Sequence, residues 1–155
     1  MGMSTDGIIC FGIDFEEGTE FPWSGDQFDG DIEEWWRKEK GYITKFHPYD
    51  ANGNYLPGIG HGDPRFNEEY KRRAKWDIAN PLPVEVVHFC SGDYPMHIIA
   101  VAGTYRTACR GEVVKLGLRL ECPEPVKIQA LYSFLREYNI DFTGEAGWLL
   151  ASYWG

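Results

Sequence analysis

The residues with the most chemical potential lie close together in the chain: His88, Cys90, Asp93 and His97. A thiol beside an imidazole becomes a nucleophile when the ring takes its proton, and a carboxylate can orient that ring. His88 and Cys90 are two positions apart, so on a strand they share a face, and His97 approaches them only across a turn. No nucleophile elbow, oxyanion loop or helix N-terminus accompanies them to stabilise a developing charge. The expectation is a pair of structural histidines at a hairpin and no catalytic residue. A small enzyme using Cys90 and His97 is the alternative.

Metal chemistry finds less support. His47, His61, His88 and His97 form neither H-x-x-x-H nor H-E-x-x-H, and Cys10, Cys90, Cys109 and Cys122 contain no C-x-x-C. No metal site and no cofactor are expected. The four cysteines lie in or beside apolar runs and read as small buried hydrophobes. Asp50 to Asn54 has the look of a calcium loop, but Gly53 falls too early and His61 stands where a glutamate should close the site. A tight turn at Asn52-Gly53 is the expected structure.

Charge says more. The net value is −9, and ten acids precede the first basic residue, Arg37. That imbalance argues against nucleic acid as a direct ligand, because phosphate binding needs a basic surface. The segment from Glu16 to Asp31 mixes acids with Phe21, Trp23 and Phe28, just before Trp35 and Trp36. Two readings are open: a solvated acidic loop whose aromatics fold inward, or an interface. In an interface the acids would steer a basic partner and the aromatics would anchor it. The expected partner-binding residues are then Phe21, Trp23, Asp26, Asp29, Glu33 and Trp36. Against this acidic background Lys71, Arg72, Arg73 and Lys75 form a basic run late in a helix, where they complement the macrodipole. Were the ligand a nucleotide, Arg72, Arg73 or Arg106 would meet its phosphate and a Trp or Tyr would stack on its base.

The elements that must position these residues are readable from pattern. Strands are expected over Gly7 to Phe15, Val84 to Cys90, Met96 to Ala102, Glu112 to Leu120 and Gly147 to Trp154. Ile98 to Ala102 lacks clean alternation, as in a strand covered on both faces. Asp31 and Glu34 form a capping box ahead of a helix that Gly41 stops. Asp63-Pro64 opens a second helix running to about Asp77, with Phe66, Tyr70 and Ala74 expected on its buried side. Pro125 begins a third, with Ile128, Leu131, Phe134, Leu135 and Tyr138 as its apolar stripe. Asn80-Pro-Leu-Pro83 is a rigid breaker. The sum is one globular α+β domain over residues 1–155, a mainly antiparallel sheet of about five strands with about three helices chiefly on one face. The first and last strands are expected in the same sheet. No apolar run approaches a membrane span, and no signal sequence is expected.

Five segments carry a family resemblance: Glu17 to Trp23, Asp31 to Trp36, Pro48 to Tyr55, Cys90 to Met96 and Gly147 to Trp154. Together they resemble a family of small uncharacterised tailed-bacteriophage proteins. The resemblance brings no catalytic residues. It implies a setting, an accessory factor in the host cytoplasm that inhibits a host protein or defence system. The partner would be a host protein with a basic surface, met through the acidic, aromatic N-terminal segment. A sponge for a nucleotide second messenger is the alternative, and a homo-oligomer is compatible with either.

Overall fold

The computed structural model describes residues 5–25, 28, 30–47, 49, 56–57, 63–91, 95–116 and 120–154. In chain order its elements are β1 (Thr5–Phe15), α1 (Ile32–Glu39), α2 (Pro64–Ala79), β2 (Val84–Ser91), β3 (Pro95–Val101), β4 (Arg106–Ala108), α3 (Pro125–Glu137) and β5 (Gly147–Trp154). Five strands in one mixed sheet and three helices make an α+β fold. Contacts group the chain into two compact units, Met1–Gly30 with Pro83–Gly155, and Asp31–Leu82. The second boundary falls at the Asn80-Pro-Leu-Pro83 breaker.

The first unit holds the whole sheet. Along one edge β1 runs antiparallel to β5, from Thr5 opposite Trp154 to Gly12 opposite Gly147. Its other edge is shared: β4 lies beside Gly7 to Ile9, and β3 beside Gly12 to Phe15. Between those partners the Phe11 amide would be stranded. The Thr104 hydroxyl oxygen accepts from it at 3.1 Å, filling the gap where the chain leaves β3. β3 also pairs antiparallel with β2. The end of β2 meets β5 in parallel, at Cys90 with Tyr153 and Ser91 with Trp154. The pairings β1–β3–β2–β5–β1 thus close a ring.

Alternation along these strands sorts the side chains. Ile8, Cys10, Val87, Ile98 and Ala100 form one buried cluster, joined by Phe89, Leu149, Ala151 and Tyr153. The opposite positions, Phe11, Ile13, Phe15, Ile99 and Val101, are buried as well. α3 packs against β3 and β2, burying Leu131, Phe134 and Leu135 of the expected stripe. Ile98 to Val101 is therefore covered on both faces, as its unbroken apolar run suggests.

The strand expected over Glu112 to Leu120 does not form among its described residues; residues 117–119 lie outside them. The short β4 takes its place, reached through a turn at Gly103 with φ of +82°. β4, β3 and β5 occupy both sides of β1, and Val113 stays 89 % exposed.

In the second unit Asp31 caps α1 by accepting from the Glu34 amide at 2.9 Å, and Gly41 ends it with φ of +79°. Asp63 caps α2 by accepting from the Arg65 amide, with Pro64 in the first turn. Arg37 ties the two helices together. It donates to Asp77 at 2.9 and 3.0 Å and pairs with Glu33 and Glu34 of its own helix. The Trp36 indole adds a bond to the Asn80 carbonyl at 3.0 Å.

The inward side of α2 corrects the expected one. Tyr70 is 75 % exposed and Ala74 is exposed, while Glu69 is buried and Phe66 and Trp76 are half-buried. Positions 66, 69, 73 and 76 also have helical spacing, and here paired charge outcompetes apolarity for the interior. Arg72 and Arg73 stand mid-helix, beyond reach of the C-terminal carbonyls, since α2 continues to Ala79 with no basic residue in its last turn.

Two substitutions test these dependencies. A Cβ on Gly12 would meet the Ile99 carbonyl oxygen and sit 2.7 Å from the Ala100 Cα, both backbone atoms of β3. Gly12→Ala should cost about 2–3 kcal/mol or more in urea unfolding, because strand backbone cannot move aside cheaply. Arg37→Ala should cost about 1–3 kcal/mol, between exposed and buried ion pairs. Arg37→Lys should recover only part of that, since an ammonium cannot grip Asp77 with two nitrogens.

Candidate functional site

The four reactive-looking residues do not assemble. His88 and His97 are directly opposed in the β2–β3 pair, with ring centroids 4.8 Å apart and edge to face. His97 also packs against the Phe21 ring at 5.4 Å, and its Nδ1 is buried without a hydrogen-bond partner. Burial lowers the pKa of both imidazoles, and His88 lowers that of His97 further. Cys90 has φ of +76°, so the strand alternation that would align it with His88 breaks there. No hydrogen bond joins Cys90 to His97 among the described residues, and Asp93 lies outside them.

The expected aromatic anchors are corrected. Phe21 and Trp23 are 5 % and 2 % exposed. Their rings stack at 5.0 Å, Phe21 meets Phe15, and Trp23 meets Phe134 of α3. Their apolar area belongs to the core beside β1 and α3, so they cannot anchor a partner. The acids around them stay outside: Glu16, Glu17 and Glu20 are exposed. Asp26 and Asp29 lie outside the described residues. Glu33 is exposed and paired with Arg37, and Trp36 is half-buried.

Of the cations named for a phosphate, two are already neutralised. Arg72 lies against Glu69 at 2.8 Å and over the Tyr42 ring, and Arg73 pairs with Glu34 at 3.2 Å. Burial would raise the Glu69 carboxyl, yet Arg72 and the Tyr42 hydroxyl hold it below its ordinary value. Arg106 differs, because among the described residues its guanidinium bonds only to the Gly103 and Tyr105 carbonyls.

Two cavities of opposite charge flank the 102–108 segment of the first unit. The first, about 440 Å³, is lined by Asp6 and Ile8 of β1, Glu85 and Val87 of β2, Tyr105 and Tyr153. Glu85 accepts from the Gly103 amide through Oε1 at 3.0 Å, while Oε2 is buried with no partner. Burial, and then the Glu85 charge, push the Cys10 thiol up to about 11, so that thiol stays protonated at neutral pH. The second cavity, about 380 Å³, is lined by Arg106, Lys115, Lys127 and Trp148 among apolar residues.

A signal for the acidic cavity does exist in the chain. Asp6-x-Ile8-x-Cys10 and Glu85-x-Val87-x-Phe89 each set a carboxylate in phase with a buried run, on the face that alternation assigns to the core. The basic cavity has no such signal, since its cations come from three separated segments. Cys109 and Cys122 correct the expectation of burial, for both are exposed free thiols.

No group of three or more His, Cys, Asp or Glu is placed to hold a metal ion among the described residues, and no helix there is long and apolar enough to cross a membrane. No protein-family model, curated protein or solved structure matches the chain.

The histidine pair has a pH signature. With folded pKa values below the ordinary 6.5, the unfolded chain takes up protons first. Stability is therefore complete above about pH 6.5 and falls as pH drops below it. Melting temperature measured from pH 7.5 to 5 should decline less steeply for His88→Gln/His97→Gln than for the natural chain. Equal slopes would assign the acid sensitivity to other groups.

Proposed function

We propose that this chain is a non-catalytic binding protein for a basic partner, and that its acidic cavity receives a lysine or arginine side chain. In the bacteriophage setting that the resemblance implies, the partner is a host protein and binding inhibits it. The supporting observation is Glu85, whose Oε2 is buried without a donor beside an apolar wall. A buried, unpaired carboxylate oxygen is costly, and a charge-assisted hydrogen bond from a ligand relieves it.

The rest of the lining suits such a group. Asp6 supplies a second carboxylate, although its Oδ1 also accepts from the Arg110 amide. Ile8, Val86 and Val87 offer apolar surface to an aliphatic stem, and Tyr105 and Tyr153 present rings to a cation. The exposed acids Glu16, Glu17 and Glu20 add long-range attraction. The buried Phe21 and Trp23 have no part in contact.

The test is capture from host lysate with the natural chain, Asp6→Asn/Glu85→Gln, and the triple variant Asp26→Lys/Asp29→Lys/Glu33→Lys. A basic protein retained by the natural chain should be released as salt rises. It should bind the cavity variant at least about tenfold more weakly, the loss expected when one side of a buried charge pair is removed. The triple variant should retain it with a slower on-rate. Undiminished capture by the cavity variant would sink the proposal, as would loss of capture in the triple variant alone.

A further inference from the structure

We propose that the basic cavity beside β4 is a separate binding site, for a small anionic ligand with an aromatic or apolar body, of the nucleoside monophosphate class. Arg106, Lys115 and Lys127 line it together. They are three of the six lysines and arginines in the sequence of the first unit (Arg106, Arg110, Lys115, Arg119, Lys127 and Arg136). In a chain of net charge −9, gathering them on one cavity runs against the overall field.

Those charges are also available. Lys115 and Lys127 are exposed, and their side chains have no ion pair or hydrogen bond among the described residues. Arg106 is fixed by one nitrogen, Nη1, on the carbonyls of Gly103 and Tyr105, which leaves the rest of its guanidinium for a ligand. Glu121 is the single carboxylate in the lining among the described residues, so a net positive charge remains there. The cavity near Arg73 makes the contrast. It has aromatic walls from Phe46, Phe66 and Tyr70, but Glu69 lines it too and Glu34 neutralises the arginine.

Charge alone would suit inorganic phosphate. The walls ask for more. Leu116 and Leu120 remain 47 % and 43 % exposed beside the cations, with Val114 and the half-buried Trp148 completing an apolar side. A ligand that pairs a phosphate with a flat ring covers both surfaces at once. The volume of about 380 Å³ lies in the range of small-molecule sites. Arg106 anchored on backbone suits an oriented phosphate contact, while the two lysines serve as mobile point charges.

The experiment uses the full chain and a fluorescent trinitrophenyl-labelled adenosine monophosphate as probe, with unlabelled AMP, adenosine and inorganic phosphate as competitors. The natural chain should enhance the probe's fluorescence, and AMP should displace it at lower concentration than phosphate or adenosine. Lys115→Glu/Lys127→Glu should weaken probe binding at least tenfold with an unchanged melting temperature, since neither lysine side chain makes an ion pair or hydrogen bond among the described residues. Arg106→Gln should weaken it independently. Absence of enhancement would overturn the proposal, as would binding indifferent to the lysine reversals. Displacement by phosphate as readily as by AMP would overturn the nucleotide class. Asp6→Asn/Glu85→Gln should bind the probe normally, which separates this site from the acidic cavity.

Discussion

β1 is hydrogen-bonded along both edges, and the placement of the other strands follows from that double pairing. One edge takes β5 over eight register positions. The other is divided between β4 and β3, with the Thr104 hydroxyl bridging the division at Phe11. For β1 to approach β3 this closely, one residue must lack a side chain, and Gly12 stands there. With the ring of pairings closed, the two faces of each strand are no longer equivalent to core and solvent. Cys10 and Phe11 are neighbours and both are buried, Cys10 with Ile8 and Val87 and Phe11 outside that cluster. The sharing of β1 leaves residues 112–116 no edge of that strand to join.

Much of this architecture was legible in the chain because it rests on local rules. The capping box at Asp31, the proline start at Pro64 and the α3 stripe each express an interaction between residues a few positions apart. The apolar run at Ile98 announced a strand buried on both faces. Three features were not legible, for a shared reason. Whether Glu112 to Leu120 forms a strand depends on pairing with segments far away in the sequence. Whether Tyr70 or Glu69 faces inward depends on Arg72 and Tyr42 being present to satisfy a carboxylate. Whether Phe21 and Trp23 lie outside depends on Phe15, His97 and Phe134 offering rings to pack on. Composition records the acids and aromatics of that segment, but only tertiary packing separates them into solvated carboxylates and a buried aromatic stack.

The two cavities show how a short segment can divide opposite charges. From Gly103 to Ala108 successive side chains alternate. Tyr105 and Thr107 line the acidic cavity, and Thr104 and Arg106 line the basic one. The Gly103 amide contributes to both, because it donates to Glu85 while its carbonyl holds Arg106. A carboxylate and a guanidinium are thus kept on opposite sides of one backbone turn instead of pairing with each other. Direct contact would neutralise both, and neither cavity would then keep a charge to offer.

The pairing of β1 with β5 also governs when the fold can be completed during synthesis. Gly12 waits for Gly147 and Thr5 for Trp154, partners 135 and 149 positions later. While the ribosome makes the intervening chain, Ile8, Cys10 and Phe11 have no β5 to cover them, and such exposed strand surface invites association between nascent chains. The acidic opening of the chain, ten carboxylates before the first base, surrounds that waiting strand with like charge. Mutual repulsion among chains on one polysome would keep β1 apart from its copies until its own last strand emerges.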